Sequence, residues 1–326
     1  MQAIVVGSQG PVLAQRPVPQ PGPNEVLVRI HSAALNRADL HVAAGHRHGR
    51  SGGEGTIIGI EWAGEVVEVG TEVPAGHFRS GDAVMCSGTG GYAQYAVTDW
   101  GRVYKLPAGW EDFSRAATLP VALQTAHEAL AASGAMRPGQ EVLVHGASSG
   151  VGLMTLQIAK FLGAKQVIGT STNAARREEL SKFGAHHAVD ASVNDWSEQV
   201  LEHTHGQGVD LVIDFVAGAT VAQTMKATRI GGRIVNVGRM GGFTGEFDFD
   251  LHSLRRLHYV GATFRTRSVH EVREIAQSMQ RGLWQAVADG RLSLPLARVF
   301  PLQQAVQALD YLRSNAHFGK VVLAVS

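Results

Sequence analysis

The sequence predicts an α/β protein that joins a doubly wound parallel sheet to a second, β-rich domain. Strands alternate with helices from residue 123 onward, a glycine-rich turn connects one such strand to a helix, and short strands fill residues 1–120. The length of 326 residues is enough for two domains. We expect one domain at 123–266 and a discontinuous one at 1–122 and 267–326, because the last elements need a crossover of their own to extend the parallel sheet.

The first 120 residues predict a small antiparallel barrel or sandwich, because short apolar runs are separated by Gly and Pro turns. The strand candidates are 3–6, 26–35, 61–70, 82–88 and 92–98.

The middle of the chain predicts a parallel sheet covered by helices on both faces. We expect a helix over 123–136, a helix with an apolar face over 151–163 and a polar helix over 173–184. A longer amphipathic helix is expected over 269–292, followed by a strand and a helix within 295–315 and a last strand at 319–325. Six strands are expected in a dinucleotide-binding sheet. The six candidates are 141–146, 166–170, 185–190, 209–216, 231–238 and 258–264.

Composition excludes several classes of protein. Lysine and arginine number 29 against 28 aspartates and glutamates, which argues against a dedicated nucleic-acid binder. The single cysteine, Cys86, excludes an internal disulfide framework and a zinc site built from several thiolates. The N-terminus lacks the pattern of a signal peptide, and no run approaches the ~18 apolar residues of a membrane span. We therefore expect a cytoplasmic protein that binds no membrane.

The segment after the strand 141–146 is typical of a turn that holds a pyrophosphate. Glycines lie directly between an apolar strand and an amphipathic helix, so the backbone can turn sharply and approach a ligand closely. Amides at the start of the helix would face the phosphates. The spacing G-A-S-S-G-V-G differs from the common G-x-G-x-x-G, and a turn without a ligand is the alternative. The predicted cofactor-binding residues here are Gly146, Ala147, Ser148, Ser149, Gly150, Val151 and Gly152.

The end of the second strand favours NADPH over NADH. Thr170 and Ser171 lie where a carboxylate would bind the ribose hydroxyls of NAD, and Arg176 and Arg177 follow. A guanidinium attracts a 2′-phosphate, which a carboxylate would repel. The alternative is that both arginines form a solvated helix face, paired with the glutamates at 178–179.

Several motifs resemble one enzyme family over essentially the whole chain. They are ALNRADLHVAAG (34–45), GIEWAGEVVEVG (59–70), ATLPVALQTAHEAL (117–130), HGASSGVG (145–152) and HFGKVVL (317–323). Together they resemble the zinc-free quinone oxidoreductase, or zeta-crystallin-like, branch of the medium-chain dehydrogenase/reductase superfamily. The resemblance implies a Rossmann domain beside a GroES-like, β-barrel-type catalytic domain. It also implies a homodimer, which we expect to form along the edge strand at 258–264.

Zinc-dependent alcohol dehydrogenases of this superfamily carry a Cys ligand near 36–39 and a His ligand in a G-H-E motif. This chain has no cysteine there and reads Gly59-Ile60-Glu61. Without a Lewis acid, alcohol oxidation is disfavoured. The resemblance therefore implies hydride transfer from NADPH to a quinone or an α,β-unsaturated carbonyl.

The resemblance also assigns site residues. Asn36 and Asp39 would line the substrate cleft as catalytic residues. Thr125 and residues 236–238 would lie near the nicotinamide, and residues 318–320 would contact the cofactor near the C-terminus. Residues 236–238 are Asn236, Val237 and Gly238, and residues 318–320 are Phe318, Gly319 and Lys320.

Two positions depart from the family pattern. His41 stands where quinone oxidoreductases often have Tyr, and Ala191 stands where a second Tyr contacts the 2′-phosphate. His41 could donate a proton or hydrogen bond to the acceptor oxygen, or it could be only a wall of the cleft. Ala191 weakens the preference for NADPH without reversing it.

Other functions remain as alternatives. The first is a non-catalytic NADPH-binding protein with a structural or regulatory role, and the second is an alcohol dehydrogenase with bound zinc. A short-chain dehydrogenase is disfavoured because no tyrosine is followed by a lysine four residues later. A serine hydrolase lacks its G-x-S-x-G turn here. The spacing of His41, His46 and His48 matches no metal-ligand pattern, so we expect no metal.

Overall fold

The computed structural model describes residues 1–49 and 51–326 and divides them into two compact units. The first unit comprises Met1–Val121 and Phe264–Ser326, and the second comprises Ala122–Thr263. Within the described residues, no helix is both long and apolar enough to cross a membrane.

The first unit opens with seven strands and two short helices. β1 and β2 form a separate antiparallel pair, in which Ile4 lies opposite Leu13. The elements are β1 (Gln2–Gly7), β2 (Gly10–Gln15), β3 (Glu25–Ala34), α1 (Arg37–Ala43), β4 (Glu61–Val69), β5 (Ala83–Ser87), β6 (Tyr95–Asp99), β7 (Val103–Lys105) and α2 (Phe113–Ala117).

The second unit alternates strands with helices. Its helix α3 begins in the first unit at Pro120, and a π-helical segment at Glu128–Ser133 continues it. The elements are α3 (Pro120–His127), β8 (Glu141–His145), α4 (Gly150–Phe161), β9 (Gln166–Ser171), α5 (Ala174–Glu179), β10 (His187–Asp190), α6 (Trp196–His203), β11 (Val209–Asp214), α7 (Val221–Ala227), β12 (Thr228–Asn236), α8 (Phe249–Arg255) and β13 (His258–Gly261).

The chain then contributes four more elements to the first unit. They are α9 (Val269–Ala288), β14 (Leu296–Pro301), α10 (Ala305–Arg313) and β15 (Lys320–Ala324). β15 pairs antiparallel with β3, Val322 lying opposite Ala34, and parallel with β14. The resulting seven-stranded sheet has the order β14-β15-β3-β4-β5-β7, with β6 also paired to β3.

The sheet of the second unit confirms the predicted doubly wound fold. Its six strands have the order β10-β9-β8-β11-β12-β13, and every pairing is parallel. The strand order reverses between β8 and β11, and in such sheets ligands bind outside the carboxyl ends of the strands at this point. The turn after β8 therefore lies at the position that the fold reserves for a ligand.

Three predicted helices differ from the structure at their ends. The helix predicted at 123–136 begins at Pro120, since proline is well suited to the first helical position. The helix predicted at 173–184 changes to a 3-10 turn at Leu180–Phe183. The helix predicted to reach residue 292 ends at Ala288, and Gly290 then adopts a φ of +71°.

Candidate active site

The turn after β8 depends on one glycine with a left-handed backbone. Gly146 has a φ of +85°, and a Cβ there would lie 3.0 Å from Met240 Cε and 3.1 Å from Val216 Cγ2. The Gly146 amide donates to Thr170 Oγ1 at 3.0 Å, and the Ala147 amide donates to the Thr170 carbonyl at 2.9 Å. The turn is therefore fixed to the end of β9.

Helix α4 begins immediately beyond this turn with a serine cap. Ser149 Oγ accepts from the Gly152 amide at 3.1 Å and donates to the Gly146 carbonyl at 2.9 Å. A Cβ on Gly152 would lie 2.6 Å from Gly146 O and 2.7 Å from Ala147 O. The first amides of any helix have no carbonyl within it to donate to, so Gly150 and Val151 present donors beside the turn. Such a site fits a pyrophosphate.

A buried histidine that was not among the predicted site residues, His145, lies directly before the turn and bonds to Thr170 and Thr220. His145 Nδ1 lies 2.8 Å from Thr170 Oγ1, and His145 Nε2 lies 3.1 Å from Thr220 Oγ1. Thr220 donates its hydroxyl proton to the Ala217 carbonyl, so it accepts from Nε2, and Nδ1 accepts from Thr170. Burial lowers the pKa of His145, which favours this neutral form.

The side-chain hydroxyls at the end of β9 form hydrogen bonds with the turn after β8 and with His145. Thr170 is fully buried, and its hydroxyl accepts from the Gly146 amide and donates to His145 Nδ1. Ser171 is also buried, and its hydroxyl donates to Ser148 Oγ at 3.0 Å. Direct contact of either residue with a cofactor stays a prediction.

The two arginines of α5 have different surroundings. Arg177 Nη2 lies 2.8 Å from Asp190 Oδ2, and Arg177 Nη1 donates to the Ser171 carbonyl at 3.0 Å. The alternative pairing of Arg177 with its glutamate neighbours is therefore not what the structure shows, and Glu179 instead pairs with Lys182. Arg176 is half-buried in the first turns of α5.

The end of β12 is held against the end of β11. The amides of Val237 and Gly238 both donate to the Asp214 carbonyl, at 2.8 and 3.1 Å. A Cβ on Gly238 would lie 2.4 Å from Phe215 O, so the two backbones are in close contact. Beside Asn236 lies a cavity of about 190 Å³, which Tyr259 also lines. Residues 236–238 thus lie at the same carboxyl edge of the sheet as the turn after β8.

Asp39 lies in the first unit within a buried hydrogen-bonded group. Its Oδ2 accepts from the Asn36 amide at 2.7 Å and from the Tyr92 hydroxyl at 2.8 Å. Its Oδ1 has no hydrogen-bond partner among the described residues. Burial raises the pKa of Asp39 to about 7, despite hydrogen bonds from Tyr92 and Asn36 that act in the opposite direction.

Asn36 and Lys320 meet at a second buried carboxylate, Glu61, which the sequence analysis did not assign. Glu61 Oε1 lies 2.5 Å from Lys320 Nζ and accepts from Asn36 Nδ2 at 2.8 Å. Lys320 Nζ also donates to Asn36 Oδ1 and to the Leu35 carbonyl, each at 2.9 Å. All three protons of the ammonium therefore have acceptors within the first unit. The available signal was a lone carboxylate inside the apolar run GIEWAG.

The remaining predicted residues belong to several different segments of the chain. His41 is exposed on α1, and its ring centroid lies 6.1 Å from that of His46. Thr125 and Phe318 are half-buried. Gly319 is buried with a φ of +94°, where a Cβ would meet Pro295 O at 2.1 Å. In residues 1–49 and 51–326, no group of three His, Cys, Asp or Glu side chains is arranged to hold a metal ion.

Comparison with known proteins identifies the family. The profile described as "Alcohol dehydrogenase GroES-like domain" matches residues 22–108, and the one described as "Zinc-binding dehydrogenase" matches residues 150–281. The quinone oxidoreductase of Rattus norvegicus is 30% identical over 309 residues, which are 94% of this chain and 91% of that protein. The chain belongs to the quinone oxidoreductase family. It is an enzyme, an oxidoreductase of the medium-chain dehydrogenase/reductase superfamily.

Solved structures related to this family have the same fold. The Escherichia coli quinone oxidoreductase, crystallised in complex with NADPH, superposes with a TM-score of 0.88 at 25% identity, covering 99% of this chain and 100% of that one. The CurK enoyl reductase superposes with a TM-score of 0.86 at 26% identity, covering 100% of this chain and 99% of that one.

The residues of this family member do not fit the zinc ion named in the second profile. No cysteine lies at residues 36–39, near which the superfamily's zinc enzymes carry a Cys ligand, and Ile60 stands where they carry the His. The adjoining carboxylate, Glu61, is already paired with the Lys320 ammonium.

Proposed function

We propose that this enzyme transfers hydride from NADPH to a quinone or to the activated double bond of an α,β-unsaturated carbonyl, without zinc. The observation that carries the proposal is the Ser149-capped start of α4, which lies beside the left-handed turn at Gly146. It is supported by the NADPH-bound E. coli relative and by the enoyl reductase CurK.

Several groups of residues are assigned to the cofactor. Residues 146–152 would hold the pyrophosphate, and residues 236–238 and Thr125 would lie along the nicotinamide. Residues 318–320 would contribute backbone contacts, because the Lys320 ammonium already has three acceptors. A nicotinamide cofactor supplies the hydride when bound, so the protein's own task is to align it with the acceptor.

We propose NADPH rather than NADH as the cofactor because of the charged residues that follow β9. No carboxylate follows Thr170 and Ser171 in the segment 172–177, and a carboxylate there would repel a 2′-phosphate. We assign the 2′-phosphate to Arg176. Its neighbour Arg177 fixes α5 against the end of β10 through its ion pair with Asp190.

A quinone or enone suits the residues of the proposed substrate region. In such acceptors, conjugation spreads the incoming charge onto an oxygen, which hydrogen-bond donors stabilise without a Lewis acid. We assign two donors to this region: the exposed His41 imidazole, and the second N–H of Asn36 Nδ2, whose contact with the Ala34 carbonyl is long at 3.5 Å. A His41→Phe variant that keeps full turnover on every acceptor would remove His41 from this role.

Spectrophotometric oxidation of NADPH with 1,2-quinones, 1,4-quinones and simple enones tests the proposal. We expect turnover with at least one of these acceptor classes and none with primary alcohols and NADP⁺. NADPH binding without turnover of any acceptor would instead support a non-catalytic role.

We also propose a cytoplasmic homodimer. The edge strand β13 has a hydrogen-bonded neighbour, β12, on one side only. Exposed apolar side chains lie close to it in the chain, Phe249 at 75% and Leu254 at 66% exposure. An edge of this kind is usually covered or paired, and a second copy of the chain would pair it. The single, buried cysteine agrees with a reducing compartment.

A further inference from the structure

We infer that Glu61 is a positioning residue for the reaction, acting through Asn36 and through the first turn of α3, with Lys320 as its buried countercharge. This inference rests on the proposed function. The Glu61 side chain is fully buried and the Lys320 side chain is 7% exposed. Buried ion pairs add little net stability, because the cost of removing two charges from water offsets their attraction. A role in fixing geometry explains the pair better than a role in stability.

The pair fixes the orientation of the Asn36 amide. Glu61 Oε1 accepts from Asn36 Nδ2 at 2.8 Å, while Lys320 Nζ donates to Asn36 Oδ1 at 2.9 Å. Rotating the amide by half a turn would place its NH₂ group against the ammonium and its oxygen against the carboxylate. Both contacts would then be repulsive, so a single orientation is held.

The second carboxylate oxygen acts on helix α3. Glu61 Oε2 accepts from the Val121 amide at 2.9 Å. Val121 is the second residue of α3, and Pro120 before it has no N–H group. A negative charge at this end of a helix also interacts favourably with the helix dipole. Thr125, which we assign to the nicotinamide, lies one helical turn further along α3.

One carboxylate therefore connects a residue assigned to the acceptor and a helix that carries a residue assigned to the cofactor. Asn36, Glu61, Val121 and Lys320 lie up to 284 residues apart in the chain. A substitution of Glu61 would remove the contacts that hold the Asn36 amide and the first turn of α3. Cofactor binding energy from the pyrophosphate and the 2′-phosphate would be unaffected. The expected signature is a loss of kcat with little change in the KM for NADPH.

The test compares Glu61→Gln, the charge-neutral double variant Glu61→Gln/Lys320→Met, and a control, Asp99→Asn. The control breaks the ion pair of Asp99 with Arg273, whose contacts are 2.6 and 2.9 Å and which lies outside the proposed site. Measurements are the melting temperature, NADPH affinity by calorimetry, steady-state constants, and the isotope effect with NADPH deuterated at the transferred hydrogen.

We expect Glu61→Gln to lower kcat about tenfold or more, with the KM for NADPH changing less than about threefold and a larger isotope effect. The double variant should recover thermal stability but not kcat, and Asp99→Asn should lose stability alone. Recovery of kcat together with stability in the double variant would reduce Glu61 to a structural role and overturn the inference, as would an unchanged kcat in Glu61→Gln. If the wild-type enzyme itself neither bound NADPH nor reduced any acceptor, the proposed function would fail instead.

Discussion

Asp39 combines complete burial with an oxygen that lacks a hydrogen-bond partner among the described residues. The folded protein raises the pKa of this carboxyl from its ordinary value of 3.8 to about 7, chiefly through burial. Between these values, the unfolded chain loses its proton at Asp39 while the folded chain retains it. The free energy of unfolding therefore falls as the pH rises through this range, by an amount on the order of 4 kcal/mol.

Asp39→Asn should remove this dependence, because an amide has the same shape, accepts from Tyr92 and carries no charge. The variant should gain stability relative to the wild type as the pH rises from 4 to 8. Chemical denaturation of both proteins at the two pH values measures this change. A stability difference that is equal at pH 4 and pH 8 would show that Asp39 titrates normally in the folded protein.

Gly152 leaves no room for a side chain beside the proposed cofactor turn. The Cβ of Gly152→Ala would lie 2.6 Å from a backbone oxygen, so the turn must move away from α4. We expect NADPH affinity to fall about tenfold or more, which corresponds to about 1.4 kcal/mol. An affinity equal to that of the wild type would show that the turn does not hold the cofactor.

The contacts of single residues were predictable only where residues close together in the chain form them. The glycine turn at 146–152 is local, and the sequence analysis found it. The Glu61–Lys320 pair joins residues 259 positions apart, and the Tyr92–Asp39 bond spans 53 positions. No local pattern marks such contacts. His145 was missed for the same reason, since its partners lie 25 and 75 positions away.

In the described part of the chain, two helices begin with a serine cap, and one of these caps lies at the proposed cofactor site. Ser149 Oγ accepts from the Gly152 amide at 3.1 Å on α4. Ser268 Oγ accepts from the Glu271 amide at 3.2 Å on α9, where the Glu271 carboxylate accepts from the Ser268 amide in return. The caps are alike in geometry but differ in their proposed function.

Ser149→Ala and Ser268→Ala should each cost about 1 kcal/mol of stability, the usual effect of losing a cap. Only Ser149→Ala should also weaken NADPH binding, because its cap orders the amides that face the pyrophosphate. Thermal unfolding and calorimetric titration of both variants separate the two effects. Equal NADPH affinity in the two variants would argue against a pyrophosphate at the start of α4.

Elements with strong periodicity or an apolar run were predictable, and several short elements without either were not. The strands β8 to β13 and the helix α4 were all predicted, because each carries a clear apolar pattern. The helices α1, α2 and α8 have seven, five and seven residues, which is too short for a helical pattern to stand out. The three-residue strand β7 was missed for the same reason.

At the scale of the whole molecule, the chain leaves the first unit at Val121 and returns to it at Phe264. The last strand, β15, then pairs with β3 and brings Lys320 to Asn36. A truncation before residue 320 would therefore remove the countercharge of Glu61 as well as a strand of the first unit.

The proposed homodimer predicts a mass in solution of twice the 34.7 kDa of the chain. Light scattering at micromolar concentration measures it directly. An aspartate in place of Val260 would put a charge on the edge strand β13 and should shift the mass toward that of one chain. A wild-type mass of 34.7 kDa under these conditions would contradict the pairing.

A calorimetric titration of the pure, folded enzyme with NADPH and with NADH tests the proposed cofactor site most directly. We expect one NADPH bound per chain, with an affinity about tenfold or more above that for NADH, and loss of this preference in Arg176→Ala. The absence of binding heat for both nucleotides across several temperatures would contradict the assignment of the turn after β8 as a cofactor site.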